Sequence, residues 1–218
     1  MKKSLKKIIS VFTILLITVS CQDTESGDVT APGKLIVETI TPTNGGGIIS
    51  YTLPDDSDIL FVRAEYTNTL GEDVFRVSSV HNNEVEISGL NQTTPIEVNL
   101  FVVDNNDNKS EPTTAEFVPL ESFIYLVQES IEFSADLGGV RVSWENIESK
   151  TVYVYVHIQN GEDEEIRILS SNSPLENRFI RGLEATELTF LTKVADFDGN
   201  VTDLEEKGVY SPLFEEVI

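Results

Sequence analysis

The chain of 218 residues has a single cysteine, Cys21. An intrachain disulfide is therefore impossible, and stability must come from packed cores rather than cross-links. Basic residues are scarce: 15 Lys and Arg face 37 Asp and Glu, for a formal charge of −22. That balance excludes nucleic-acid binding, which needs cations to neutralise phosphates. It also excludes an electrostatic hold on anionic lipid. Catalytic signatures are missing as well. The two histidines, His81 and His157, fall in different halves of the chain, and there is no Gly-x-Ser-x-Gly elbow, His-Glu-x-x-His pair or phosphate loop. Carboxylate pairs carry no information in a chain with 37 acids. The expectation is a protein that is not an enzyme and has no cofactor. Apolar residues nonetheless make up 40% of the chain and are patterned, which argues for folded domains over disorder.

Long apolar runs are also missing, with one exception. Lys2, Lys3, Lys6 and Lys7 precede a run over residues 8–19 that ends at Ser20-Cys21. The run is shorter than the ~20 residues a membrane-crossing helix needs. A basic start, a short apolar stretch and a small residue before the cut mark residues 1–20 as a secretory signal peptide. The lone cysteine at the cut resembles a bacterial lipobox, although Thr18 stands where Leu is usual. The expectation is acylation of Cys21, an acidic tether over 21–30 and anchoring in a membrane through lipid. Without the leader, 11 basic residues face 37 acids, a charge of −26.

Beyond residue 30 the chain repeats itself. Ile49-Ser50-Tyr51 after a Gly run matches Val142-Ser143-Trp144 after Gly138-Gly139. Ile87-Ser88-Gly89-Leu90 matches Ile180-Arg181-Gly182-Leu183, and the stretch 102–108 matches 194–200. The offsets are 93, 93 and 92 residues, too long for a solenoid and right for tandem domains. The domains are expected at 31–119 and 120–218. In the first, apolar and polar residues alternate with the period of two that marks half-buried strands. Strands are predicted over 35–40, 47–53, 59–66, 73–80, 84–87, 96–104 and 113–118. In the second they are predicted over 130–135, 140–145, 151–159, 162–170, 177–180, 188–195 and 209–214. No helix of useful length is predicted. The fold class is all-β: two immunoglobulin/fibronectin-III-like sandwiches. The junction, Pro119-Leu120-Glu121-Ser122, is too short and apolar for a floppy linker.

The blocks Asp136 through Asn146, Tyr51-Thr52-Leu53-Pro54 and Val103 through Pro112 resemble a family of Bacteroidota surface lipoproteins with two tandem fibronectin-III-like domains. That resemblance implies a glycan-binding or scaffolding accessory role beside SusC- and SusD-like glycan importers, with polysaccharide as the partner; the other reading of the chain is a structural spacer or adhesin subunit acting through protein–protein contacts. It also implies an outer-membrane location facing the cell exterior. Family members often continue into a discoidin-like, carbohydrate-binding domain, which is expected to be absent from a chain ending at Ile218.

Three groups of residues are candidate sites. Trp144 could stack on a sugar, but its place on an early strand makes it a core residue. Tyr153, Tyr155 and His157 alternate with Val152, Val154, Val156 and Ile158. They are expected to share the outer face of one strand, as a sugar platform, a protein contact or plain cross-strand packing. Asp196, Asp198, Asn200 and Asp203 offer oxygens at calcium-like spacing. Gly199 is misplaced for an EF-type loop, however, and turn chemistry explains the same residues.

Overall fold

The computed structural model describes residues 29–214. The leader, Cys21 and most of the 21–30 tether lie outside the described residues. The first domain contains β1 (Ile36–Thr43), β2 (Gly46–Thr52), β3 (Ile59–Thr67), β4 (Asp73–Ser79), β5 (Glu84–Ile87), β6 (Ile96–Asp104) and β7 (Thr113–Phe117). Its sheets are β1-β2-β5 and β4-β3-β6-β7. The second contains α1 (Phe123–Ser130), β8 (Glu132–Asp136), β9 (Gly139–Glu145), β10 (Val152–Asn160), β11 (Asp163–Ser171), β12 (Leu175–Arg181), β13 (Leu188–Asp196) and β14 (Glu205–Tyr210). Its sheets are β12-β9-β8 and β11-β10-β13-β14. Each domain is thus an antiparallel three-on-four sandwich of fibronectin-III type, and the described residues are all-β apart from one helix.

The alternation drives the cores. Val62, Ala64 and Tyr66 of β3 point inward with Val98, Leu100 and Val102 of β6, and all six are buried. Val152, Val154, Val156 and Ile158 repeat this on β10. Trp144 is 1% exposed and occupies the core position that Tyr51 holds in the first domain. The register agrees with the repeat: Asn44 bridges Leu120 in parallel, and Leu137 bridges Leu213 93 residues later.

Two elements differ from the sequence expectation. The helix α1 stands where none was predicted. Phe123, Ile124 and Val127 form a buried face of only two turns, too short for the period to stand out. Tertiary contacts hold it. Gln128 donates to the Thr192 carbonyl (2.9 Å), and Lys207 Nζ donates to the Gln128 carbonyl (2.7 Å). The last strand is β14 (Glu205–Tyr210), earlier than the predicted 209–214. Its Glu-Glu-Lys start gives no apolar signal, yet it pairs with β13 through Thr192 and Leu191.

The junction is hydrogen-bonded throughout. Leu120 N–H donates to Thr43 (3.1 Å), and Gly45 N–H donates to Leu120 (3.1 Å). Asn44 Nδ2 donates to the Glu121 carbonyl (2.9 Å), and α1 begins two residues later.

Candidate functional site

The predicted strand face divides. Tyr153 and Tyr155 are half-buried on the outer side of β10, and the Lys193 ammonium lies 5.3 Å from the Tyr155 ring centroid. His157 is not on an open face with them: it is 8% exposed. Its Nδ1–H donates to Glu164 Oε1 at 2.9 Å across the β10–β11 pair, and its Nε2 is buried without a hydrogen-bond partner. The contact with His157 holds the Glu164 carboxyl below its ordinary range, with Gln159 adding to it. Neighbours of the tyrosines on β11 are Ile166 and Ile168, both exposed. The face therefore sets two phenol rings beside exposed aliphatic side chains, with Ser170 opposite Tyr153 and Lys193 opposite Tyr155.

The carboxylate loop has a different job. Asp196 Oδ1 accepts from Asn200 N–H (2.9 Å) and Oδ2 accepts from Asn200 Nδ2 (2.8 Å), closing the turn. Asn200 Nδ2 also donates to the Gly89 carbonyl of the first domain (3.1 Å). Arg76 of β4 donates to Asp198 (3.1 Å) while holding Ser88 Oγ through Nε and Nη2. Gly89 has a positive φ of 80°, which favours glycine, and its missing side chain leaves room for Asp198, whose carboxyl carbon would lie 2.8 Å from a Cβ. Asp203 is exposed on the chain beyond the loop. The turn thus fastens one domain to the other. Among the described residues no group of three or more His, Cys, Asp or Glu side chains is placed to hold a metal.

The equivalent turn in the first domain provides an internal control. Asp104 accepts from the N–H groups of Asn106 (2.8 Å) and Asn108 (2.9 Å) and from Asn108 Nδ2 (2.8 Å). Burial opposes its charge, but the Asn108 and Asn106 donors outweigh this and hold the carboxyl below its ordinary value. At Asp196, burial dominates over the Asn200 bonds and the nearby Asp198 charge adds to it, so the carboxyl is pushed up. The two should respond oppositely to acid. Asp104 contributes stability that is present above the unfolded carboxyl pKa and is lost as pH falls through the depressed folded one. Asp196 contributes stability that is present below the unfolded value and is lost as pH rises through the raised folded one. Carboxyl-carbon NMR titration should find the pair on opposite sides of about 3.9, the ordinary aspartate value.

The fastened junction encloses a cleft of about 650 Å³ that sequence reasoning missed. One wall is Arg76, Ser78, Glu84 and Glu86 of the first domain. The other is Ser149, Lys150 and the turn at Phe197-Asp198 of the second. Lys150 Nζ crosses to Glu86 (3.2 Å), and Ser122, buried at the floor, has a hydroxyl without a partner. Phe197 at the mouth is 81% exposed. The turn does not demand an aromatic, because Asn105 fills the same place in the first domain. A water-facing ring beside hydroxyls, carboxylates and cations is the arrangement that stacks on and hydrogen-bonds to a polyhydroxylated ring. The only advance signal was Phe197 within a turn otherwise made of Asp, Gly and Asn.

Among solved structures, a two-domain fibronectin type-III segment of chicken tenascin is similar at 16% identity and TM-score 0.37, covering 84% of this chain and 99% of that one. The FN1–FN3 domains of chicken CNTN1 follow at 11% identity and TM-score 0.33, covering 84% of this chain and 67% of that one. A SusE-like protein is similar at 22% identity and TM-score 0.33 over 42% of this chain. The matched part spans about a third, 32%, of that protein's length. No curated protein matches the sequence. Residues 32–119 match the family described as Domain of unknown function (DUF4959). Residues 120–218 match Domain of unknown function (DUF5126). Family matches therefore run without a gap from residue 32 to residue 218, the first domain similar to DUF4959 and the second to DUF5126.

Proposed function

We propose that this is a non-catalytic cell-surface lipoprotein, anchored through Cys21 in the outer membrane and facing the exterior. It serves as a glycan-binding accessory of a polysaccharide-uptake system that includes SusC/SusD-like proteins. The observation that carries the reading is the domain-junction cleft, with the exposed Phe197 ring at its mouth and Ser78, Glu84, Glu86 and Lys150 within it. The site is built by two domains, so its shape depends on the Arg76–Asp198 and Asn200–Gly89 contacts that hold them. The test is affinity electrophoresis of the purified protein through gels containing neutral polysaccharides. Retardation by one glycan is expected, and Phe197→Ala should abolish it. The melting temperature should not change, since the ring is 81% exposed and supports no core. Retardation that survives Phe197→Ala but is lost in Tyr153→Ala/Tyr155→Ala would move the site to the β10 face.

One observation favours a second reading, a structural spacer or adhesin subunit acting through protein contacts. The edge strand β11 is nine residues long, pairs among the described residues only with β10, and exposes Ile166 and Ile168. Such an edge accepts a strand from another chain. No retardation by any glycan would favour this reading.

A further inference from the structure

Four of the six arginines lie on β9, β11 and β12 of the second domain: Arg141, Arg167, Arg178 and Arg181. In a chain with only 15 basic residues this is a local concentration of cations, set among Glu145, Glu165 and Glu176 of the same strands. At its centre is Phe179, 49% exposed. The guanidinium carbons of Arg141 and Arg181 stand 5.2 Å and 5.0 Å from its ring centroid, so the ring fixes both cations. Between the free edges of β11 and β12 a groove of about 240 Å³ opens, lined by Arg167, Leu169, Phe179, Ile180 and Arg181.

The cations are incompletely used. Arg141 and Arg181 share one carboxylate, Asp136, at 3.9 and 3.8 Å, beyond hydrogen-bond length. The facing Oδ2 of Asp136 has no hydrogen-bond partner. Arg181 also donates to the Leu137 carbonyl, and Arg167 pairs with Glu165 at 2.6 Å. Most N–H donors of Arg141 and Arg181 therefore face solvent, in the fork geometry that accepts an oxyanion.

The first domain shows what this groove can hold. Arg76 and Arg167 occupy the same place on their edge strands, opposite Ala64 and Val156. In the first domain that place is filled: Asp198 of the following domain sets its carboxylate on Arg76. The repeat-equivalent groove of the second domain is open among the described residues. It also departs from the version that docks a protein loop. Ile48, Glu86 and Ser88 of the first domain are replaced by Arg141, Phe179 and Arg181. An acid and two neutral residues have become a ring and two cations. The change suits a polymer of anionic rings better than an acidic turn.

We infer that the β11–β12 groove and the adjoining Phe179 face of β12 and β9 are a binding site for an acidic glycan, with Arg167 and Arg181 in the groove and Arg141 beside the Phe179 ring holding the carboxylate or sulfate groups of successive sugar units. The inference rests on the glycan-binding reading but uses a different site from the cleft. The probes are polygalacturonate for carboxylate, dextran sulfate for sulfate ester and dextran as the neutral reference, each in affinity gels at low and at raised salt. The protein's overall charge repels both polyanions, so retardation has to come from a local site. Retardation by one of them is expected, screened away by salt. Arg141→Ala/Arg181→Ala should weaken it about tenfold or more, the scale of losing charge-assisted bonds. Arg63→Ala removes another arginine stacked on a ring, 4.1 Å from the Phe75 centroid, and should leave it unchanged. Thermal melts identify any variant that fails to fold, and Phe179→Ala then supplies a second test of the same stack. If neither polyanion retards the folded protein, the inference is overturned, whatever neutral glycans do in the cleft. The groove would then be the docking place of an acidic loop from another domain. Retardation by a polyanion that persists in Phe197→Ala separates this site from the cleft.

Discussion

Alanine in place of Gly139 is expected to cost the second domain about 3 kcal/mol, the upper end of overpacking penalties. Gly139 opens β9 opposite Arg181 of β12. A Cβ there would lie 1.9 Å from the Ile180 carbonyl oxygen, well inside any van der Waals limit. The obstacle is backbone, so no side chain can swing aside. Strand β12 must retreat and release Phe179 and Arg181 with it. Gly46 repeats the situation in the first domain, 1.9 Å from the Ile87 oxygen. Gly138, one residue earlier, is the control. It has a positive φ of 67° but open space around its Cβ position. Alanine there should cost only the left-handed backbone term, about 1–2 kcal/mol. Trp144 is the only tryptophan, so its fluorescence reports the second domain alone. Gly139→Ala should lower the fluorescence midpoint strongly. Gly46→Ala should lower the far-ultraviolet transition of the first domain while moving the fluorescence midpoint far less. Equal midpoints for Gly138→Ala and Gly139→Ala would refute the steric account.

The Gly-Gly approach to β9 was visible in the sequence as part of the repeat, but its reason was not. Sequence shows a glycine; only the register shows the carbonyl pressed against it. The same division holds elsewhere. Strands such as β3 and β10 were legible because alternate residues face opposite environments, and period two survives in the letters. The edge strand β14 is legible only at its end, because Glu205-Glu206-Lys207 gives no apolar signal and the apolar Val209 and Tyr210 come last. Helix α1 was missed because two turns fixed by contacts with Thr192 and Lys207 leave no local period. For the carboxylate turn, its composition was consistent with calcium or with turn chemistry. Asn200 and Arg76 decide its role, and Arg76 lies more than a hundred residues away. His157 shows the limit of alternation: parity sets it on the outer face with Tyr155, but Glu164 on the neighbouring strand draws it under cover. A cleft between domains, and a groove between two strand edges, are properties of pairs of elements. One chain read in order cannot display them.

The largest single-residue loss is expected at Trp144. Truncation to alanine should cost about 3–5 kcal/mol, the range for a large aromatic removed from a packed core. A domain of this size has about 5–15 kcal/mol in total, so most of its stability could go at one position. Trp144 is 1% exposed and sits in a cluster with Val142, Val154, Val156, Ile180 and Phe190. It draws on both sheets, β9 on one side and β10 with β13 on the other, so the void would open between them. Collapse is hindered because strands already paired on each side cannot move in without breaking register. Phenylalanine should behave differently. The indole Nε1 is buried with no hydrogen-bond partner, and an unmet donor costs about 1–3 kcal/mol in the native state. Trp144→Phe loses part of the ring volume but also sheds that penalty, so its loss should be far smaller than alanine's. Calorimetry on the two variants checks this, with about 4–8 °C of midpoint shift expected per kcal/mol for a domain of this length. Comparable losses for alanine and phenylalanine would mean that Nε1 has a partner, most simply an internal water. The first domain already avoids the problem: Tyr51, at the same place, carries its polar atom to the edge and donates to the Asn82 carbonyl (3.1 Å).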